Sequence, residues 1–550
     1  MYVGGRMSKE YKPLQEDETK KTGLEDEKRN KLTVEEMVDR TIDANKENKL
    51  SLVKFIALYM VGLLSRMVGP MMAYSPIFTG FLNYKDWVCI SEKCESVLAN
   101  YTGDSEKLFS RDTICENSLQ PEVDFTWTID RTSYALEWGL ICSNESKGSN
   151  LKSFFFVGAF IGLLVGTALF DRIGRKTTSL IGISIATLSC LGVILVDSYG
   201  GMLALRIAQG FGSFVTVSGV GILALELTPS KLRNLSQVLC SSLWNIGSIL
   251  CVGISYAVKD WKHIYLVEGC ILAVTAISVL VYPESPRFQL VKGKESEARE
   301  TFRKISKIFK TSNQSENVEL IFKDYDKNYL GQIRDFIKYP VMLKNTLILM
   351  ACWGSISCIS YGLLFSWGKL GADIYSSIIF SSLGSFISKA SGIDYYIIHF
   401  LGRKNAVVLN FAGLAAIFFL AVPCYGVELG GTWRLEHVVC LFTSLFRGGV
   451  WGSISLLTKE LSPTSHRGMI FCICSAAARI GAFIGPYLSL LYNIIDSRIV
   501  LAIFGCLGAC ASFLAFFNSD STGKPIPSVP EDLIPLHCSG HEKLREEESQ

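Results

Sequence analysis

The chain has 550 residues, with 54 Lys and Arg against 51 Asp and Glu and a formal net charge of +3. That near balance excludes a nucleic-acid binder built on phosphate neutralisation, which needs a basic excess. Charged residues make up only 19% of the chain and mean hydropathy is +0.30, whereas soluble domains carry roughly 25% charge. The apolar fraction of 49% decides nothing alone, because soluble proteins reach about 45–50%. Clustering decides. Outside the polar stretches 1–50, 82–150, 283–342 and 518–550, the apolar residues fall in runs of about 17–25, each able to cross ~30 Å of hydrocarbon. A soluble enzyme is excluded, and an all-α membrane protein is expected.

Residues 1–50 are of mixed charge and hold no apolar core of a cleavable signal, so the first span must itself start insertion. Twelve spans are predicted in chain order: 53–80, 151–170, 178–196, 201–225, 236–257, 263–282, 343–365, 374–400, 405–424, 435–457, 468–492 and 498–517. The eighth is the least regular, since it contains Lys389 and Asp394. The short loops 171–176, 230–233 and 401–404 carry dense Arg and Lys against span ends, which places them in the cytoplasm. Both termini and the 283–342 segment fall on the same side. The layout is then a cytoplasmic segment 1–50, a six-helix half 51–282, a cytoplasmic linker 283–342, a six-helix half 343–517 and a cytoplasmic tail 518–550.

The 82–150 loop lies on the opposite side. It holds Cys89, Cys94, Cys115 and Cys142, four of the 17 cysteines, an even set suited to disulfides in an oxidising compartment, with three pairings open. It also holds two glycosylation triplets, at Asn100 and Asn144. No CxxC pair or Cys/His array points to a metal, and no phosphate-binding G-x-x-x-x-G-K-[ST] occurs, so neither a cofactor nor a built-in ATPase is expected.

An internal repeat organises the spans. Glu226-Leu-Thr-Pro-Ser-Lys-Leu-Arg233 recurs as Glu460-Leu-Ser-Pro-Thr-Ser-His-Arg467, displaced by 234 residues. Asn245-Ile-Gly247 aligns with Arg479-Ile-Gly481 at the same displacement, and Asp171-Arg-Ile-Gly-Arg-Lys176 matches His399-Phe-Leu-Gly-Arg-Lys404 at 228. Three motifs in one order at nearly one offset indicate a duplicated six-span unit. Two such halves around a midplane site form a major facilitator architecture.

The motifs suggest roles. Asp171, Arg172, Gly174, Arg175 and Lys176 form a tight cytoplasmic turn whose charges can latch one side of the carrier, or serve only to fix topology. Glu226, Arg233, Glu460 and Arg467 supply a carboxylate and an arginine at each inner span end, suited to a charge network between halves or to helix capping. Arg206 lies within the fourth span, where it must face protein or water, and the glycines after it permit close helix packing.

These patterns, with Pro283-Glu-Ser-Pro-Arg287 and Arg206-x-x-Gln-Gly-x-Gly212, resemble the major facilitator superfamily over residues 50–517. The four-cysteine loop, Trp87-Val-Cys89 and Glu137-Trp-Gly-Leu-Ile-Cys142 resemble within it the organic cation/carnitine/anion transporters of the solute carrier family 22 type. Departures are Thr167 in place of a glycine, Lys389 near the family's proline, and the missing P-E-T after the last span. The resemblance implies transport of a small organic ion, with or without a coupling ion, across the plasma membrane. It also places Arg479 where anion and carnitine branches carry Arg and cation branches carry Asp.

A guanidinium in a span lined by Gly and Ala must find a cavity or a partner such as Asp394, and it suits carboxylate recognition. Arg479 and its repeat partner Asn245 are therefore expected at a central cavity, with Trp244, Tyr361 and Lys389 as further candidates and Trp353 and Trp367 as added aromatic walls. An anion or a carnitine-like zwitterion is preferred over a cation. Two rivals remain: a sugar or polyol facilitator, which would give Arg479 nothing to pair with, and a transport-dead receptor or vesicle protein on the same scaffold.

Overall fold

The computed structural model describes residues 31–33, 37–38, 64–80, 87–89, 115, 125–127, 132–229, 232–309, 319–321, 334–367, 373–391, 393–425, 428–430, 433–463, 466–522, 527 and 530. Twelve helices follow the twelve predicted spans. The first half contains α1 (Val68–Thr79, after a 3-10 turn Leu64–Met67), α2 (Glu145–Ile173), α3 (Arg175–Leu191), α4 (Tyr199–Glu226), α5 (Arg233–Ala257) and α6 (Trp261–Val281). The second contains α7 (Pro340–Leu364), α8 (Ile374–Ala390), α9 (Arg403–Ala421), α10 (Leu435–Leu461), α11 (Arg467–Leu488) and α12 (Ser497–Phe516). Among the described residues, nine helices have the length and hydropathy to cross a bilayer. Large apolar side chains such as Leu188, Val274, Leu420 and Phe513 are 65–69% exposed, a surface that lipid solvates and water would not.

The local chemistry explains the helix ends. Asp260, Asp373 and Asp496 cap α6, α8 and α12, each accepting a hydrogen bond from a first-turn backbone N–H. By the loop-charge reading these three starts face outward, where carboxylates are free of the cytoplasmic Arg and Lys clusters. At the other side, Gly174 breaks α2 from α3 with φ +105°, and Gly402 plays the same part before α9 with φ +80°. Only glycine adopts that backbone cheaply, so both copies of the duplicated turn show the geometry their sequence implied.

The eighth span differs from expectation. It is interrupted: α8 stops at Ala390 and a separate helix runs Ile393–Leu401. Lys389 and Asp394 flank the break, with Ser391 and Gly392 between the two helices in the sequence, a composition that favours interrupting a span over carrying two charges through it.

Met1–Leu58, Leu225–Arg233 and Glu284–Tyr325 group as one compact unit and the remainder as another. In the first, Lys31–Thr33 pairs in parallel with Glu319–Ile321. Ser285 caps the helix Pro286–Val291, which packs on the helix Glu295–Phe309 through a Thr301–Gln289 hydrogen bond of 3.1 Å. In the second, α7 packs on α11, α9 on α10 and α12, α8 on α10, α3 on α6, and α2 of the first half on α11 of the second. Short antiparallel pairs join Trp87–Cys89 to Phe125–Trp127 and Glu428–Gly430 to Trp433–Arg434.

The α2–α4 contact is reciprocal. A Cβ on Gly158 of α2 would run into the Ile207 carbonyl, and one on Gly210 of α4 into the Phe155 carbonyl. Neither backbone can give way alone. Gly210→Val should therefore cost about 1–3 kcal/mol through overpacking, read as a lower unfolding temperature of the purified protein. Gly253→Val, where a Cβ meets nothing within 4 Å, should leave it unchanged.

Candidate functional site

Arg479 stands about half-way along α11 and is half-buried. Its guanidinium lies 4.1 Å from the centroid of the Phe214 ring, on α4 of the first half. It also interacts electrostatically with Tyr361, on α7 of the second half. The Tyr361 ring in turn meets Phe156 of α2 at 4.4 Å between centroids. The cation is thus enclosed by aromatic side chains from both halves, and its Nε has no hydrogen-bond partner. Among the described residues no carboxylate pairs with it; the Asp394 side chain lies outside them.

A second arginine sits near the same tyrosine. Arg447 of α10 donates from Nη2 to Ser381 Oγ at 2.6 Å and Ser385 Oγ at 3.4 Å on α8, and it interacts electrostatically with Tyr361. Sequence reasoning did not single it out, although an Arg inside the apolar span 435–457 was a signal of the same kind as Arg206. Arg66 in the turn before α1 was missed likewise; it donates to Cys240 Sγ at 3.7 Å.

The other expected cavity residues are placed as follows. Asn245 of α5 is buried at 7% exposure, and its Nδ2 has no partner. Trp244 packs its ring over Gly69, beside α1. Trp353 is buried in the second half, donating to Thr458 Oγ1 at 3.0 Å and packed edge-on against Trp451 and Phe471. Trp367 is buried. Lys389 lies in the last turn of α8, roughly four turns from its start at Ile374.

Arg206 is fully buried and structural in its contacts. It donates to Leu151 O of α2 (3.0 Å), Met72 O of α1 (2.9 Å) and Gln209 Oε1 (2.6 Å), with the Phe155 ring 4.8 Å away. One guanidinium ties three helices together.

The structure gives these contacts of the expected charge network. Arg175 bonds Asp171 at 3.2 Å and the Phe170 carbonyl at 3.1 Å, within the α2–α3 turn, and Lys176 donates to Leu280 O at the end of α6. Arg172 is exposed beside them. Glu460 pairs with Arg403 at 3.1 Å and accepts from Ser521 at 2.8 Å, so this contact lies inside the second half. Glu226 and Arg467 are half-buried at the ends of α4 and α11; the Arg233 side chain lies outside the described residues. His466, inside the repeated motif, is 2.8 Å from Asp335 on the linker helix Arg334–Lys338.

In the loop expected to face outward, Cys115 and Cys142 form a disulfide. Cys94 and Asn100 lie outside the described residues, as does the side chain of Cys89. Asn144 sits at the start of α2, its side chain donating to Gly139 O at 3.5 Å. The halves meet there through α2 and α11: Tyr487 donates to Asn150 at 2.6 Å, Ser153 to Phe483 O at 2.8 Å, and Asn493 to Glu145.

Comparison with known proteins bears on the family and the fold. Residues 111–524 match the family described as sugar (and other) transporter. An organic cation transporter protein of Drosophila melanogaster is 24% identical over 469 residues, covering 80% of this chain and 81% of that protein. Solute carrier family 22 member 1 of Oryctolagus cuniculus is 25% identical, covering 74% and 73%, and organic anion transporter 3 of Sus scrofa is 24% identical, covering 74% and 75%. The major facilitator proton:xylose symporter XylE bound to 6-bromo-6-deoxy-D-glucose superposes with a TM-score of 0.58 at 17% identity, covering 86% of this chain and 98% of that one. The fold is that of the major facilitator transporters, and the resemblance to the organic-ion carriers read from the motifs holds. The matched family is one of membrane transporters and is not an enzyme family: the chain belongs to the sugar (and other) transporter family.

Proposed function

We propose that the protein carries small organic ions across the plasma membrane by alternating access, with an organic anion or a carnitine-like zwitterion preferred over a cation. One observation carries the preference: Arg479 sits at the seam of the two halves, against Phe214 of one and Tyr361 of the other, with no described carboxylate as partner. A substrate carboxylate placed there gains a charge-assisted hydrogen bond, roughly twice as strong as a neutral one. The surrounding rings accept the hydrophobic part of an organic acid, or the ammonium end of a zwitterion. The names of the curated relatives, organic cation and organic anion transporters, support the substrate class. A neutral sugar would leave the guanidinium unmatched.

The seam also suits a gate. The outer contacts between α2 and α11 are a few polar bonds, each worth about 0.5–1.5 kcal/mol net, so substrate binding energy suffices to exchange them. On the cytoplasmic side, Asp171–Arg175 is an exposed pair of small intrinsic worth; its value lies in holding the α2–α3 turn against α6, where Lys176 is bonded. Both termini are assigned to the cytoplasm and the 82–150 loop to the exterior.

Three outcomes are expected. Arg479→Asp should lower uptake of an aryl carboxylate at least tenfold, about 1.4 kcal/mol of binding, while sparing or raising uptake of a tetraalkylammonium at equal surface expression; unchanged anion uptake would return Arg479 to packing. Asp171→Asn should slow transport but leave binding from the outside intact, measured as uptake against surface ligand binding on the same cells. Glycosidase treatment of membranes from animal cells should increase gel mobility through a glycan on Asn100 or Asn144, and unchanged mobility would contradict the placement of the loop.

A further inference from the structure

Glu268 lies in α6, fully buried, about two turns after the Asp260 cap. Both its carboxyl oxygens are 2.7 Å from Ser75 Oγ of α1, and Oε1 is 3.5 Å from Cys251 Sγ of α5. Ser75 Oγ is also 2.6 Å from the Met71 carbonyl, and Cys251 Sγ is 3.6 Å from the same oxygen. A hydroxyl and a thiol hold one hydrogen each, whereas a carbonyl and an ionised carboxylate hold none. With Glu268 ionised, Ser75 has one hydrogen for two short oxygen contacts on different groups, and one of them is left as oxygen against oxygen. A proton on Glu268 removes the conflict. The carboxyl O–H donates to Ser75, Ser75 donates to Met71 O, and Cys251 donates to the remaining carboxyl oxygen.

We infer that Glu268 is a proton-binding site, a neutral carboxylic acid in this conformation that releases its proton during the working cycle. The groups facing it are Ser75 of α1, Cys190 of α3, Arg206 of α4, Cys251 of α5, and Tyr265 one turn away on α6. Among the described residues Arg206 is the cation in electrostatic reach, and its Nη2 has no hydrogen-bond partner. When the α1–α6 contact opens to water, the O–H bond breaks and the proton passes to solvent. The new carboxylate then attracts the guanidinium that holds Met72 O of α1. Proton occupancy and the packing of α1 are thereby linked, because a group that binds a proton better in one conformation shifts the balance between conformations.

The protonation is independent of any substrate; only its consequence for transport rests on the carrier reading. The test is infrared spectroscopy of the purified full-length protein in lipid vesicles, following the carboxylic C=O stretch between about pH 5 and pH 9. The wild type should show a band that is lost on the alkaline side, absent in Glu268→Gln, and displaced in Ser75→Ala, which keeps the carboxyl and removes its partner. Identical carboxylic spectra in wild type and Glu268→Gln overturn the inference. If Glu268→Gln does not fold, a band unmoved by Ser75→Ala overturns it equally. Benzoate uptake in the same vesicles should depend on pH in the wild type and be flat in Glu268→Gln. A carboxylic band without benzoate uptake in either would count against the carrier reading and leave the proton site standing.

Discussion

An ion inside a bilayer has no water to fall back on, so each charged side chain in a span must be solvated by the protein itself. Among the described residues, Arg66, Arg206, Arg447 and Arg479 face this constraint, and the protein answers it differently each time. Arg206 is solvated by main-chain carbonyls and a glutamine, Arg447 by serine hydroxyls, and Arg66 in part by a thiol. Arg479 has an aromatic face and a phenol, neither of which matches a carboxylate as an acceptor. The first arrangement ties helices together through the protein's own acceptors. The last stands where the two halves meet, and in the proposed reading an anion completes it.

The duplication supplies the scaffold, and in the proposed reading its departures from symmetry set the substrate preference. Both copies keep the positive-φ glycine that turns the chain at the membrane face, Gly174 and Gly402. Both keep glycines where helices cross backbone to backbone, which dispersion alone can hold together in lipid. The copies differ at one aligned pair: Asn245 in one half and Arg479 in the other, a neutral amide against a fixed cation, and the proposed site rests on that difference. A symmetric pair of arginines would repel across the seam, and a symmetric pair of amides would carry no charge preference.

Much of this was legible in the sequence because it depends on patterns along the chain. Apolar run length marked the twelve spans, and the offset of E-L-[ST]-P-x-x-x-R exposed the repeat. Partner choice was not legible. Glu460 selects Arg403, and Asp171 selects Arg175, because those groups are brought together by turns within a half; sequence alone equally allowed pairing between halves. Arg447 and Glu268 were visible as charges in apolar runs, yet their meaning depends on Ser381, Ser385 and Ser75, which other helices bring to them. The break in the eighth span was signalled by Lys389 and Asp394 but not its position.

The central claim is that the seam recognises a carboxylate through Arg479 and an organic body through the rings around it. The most direct measurement compares benzoate, benzamide and benzyltrimethylammonium as stabilisers of the purified wild-type protein in a thermal unfolding series. The three share one ring and differ in charge. The account predicts that benzoate raises the unfolding temperature with a saturating dose response, and that benzamide and the cation do so weakly. Equal stabilisation by all three, or a preference for the cation, would contradict it.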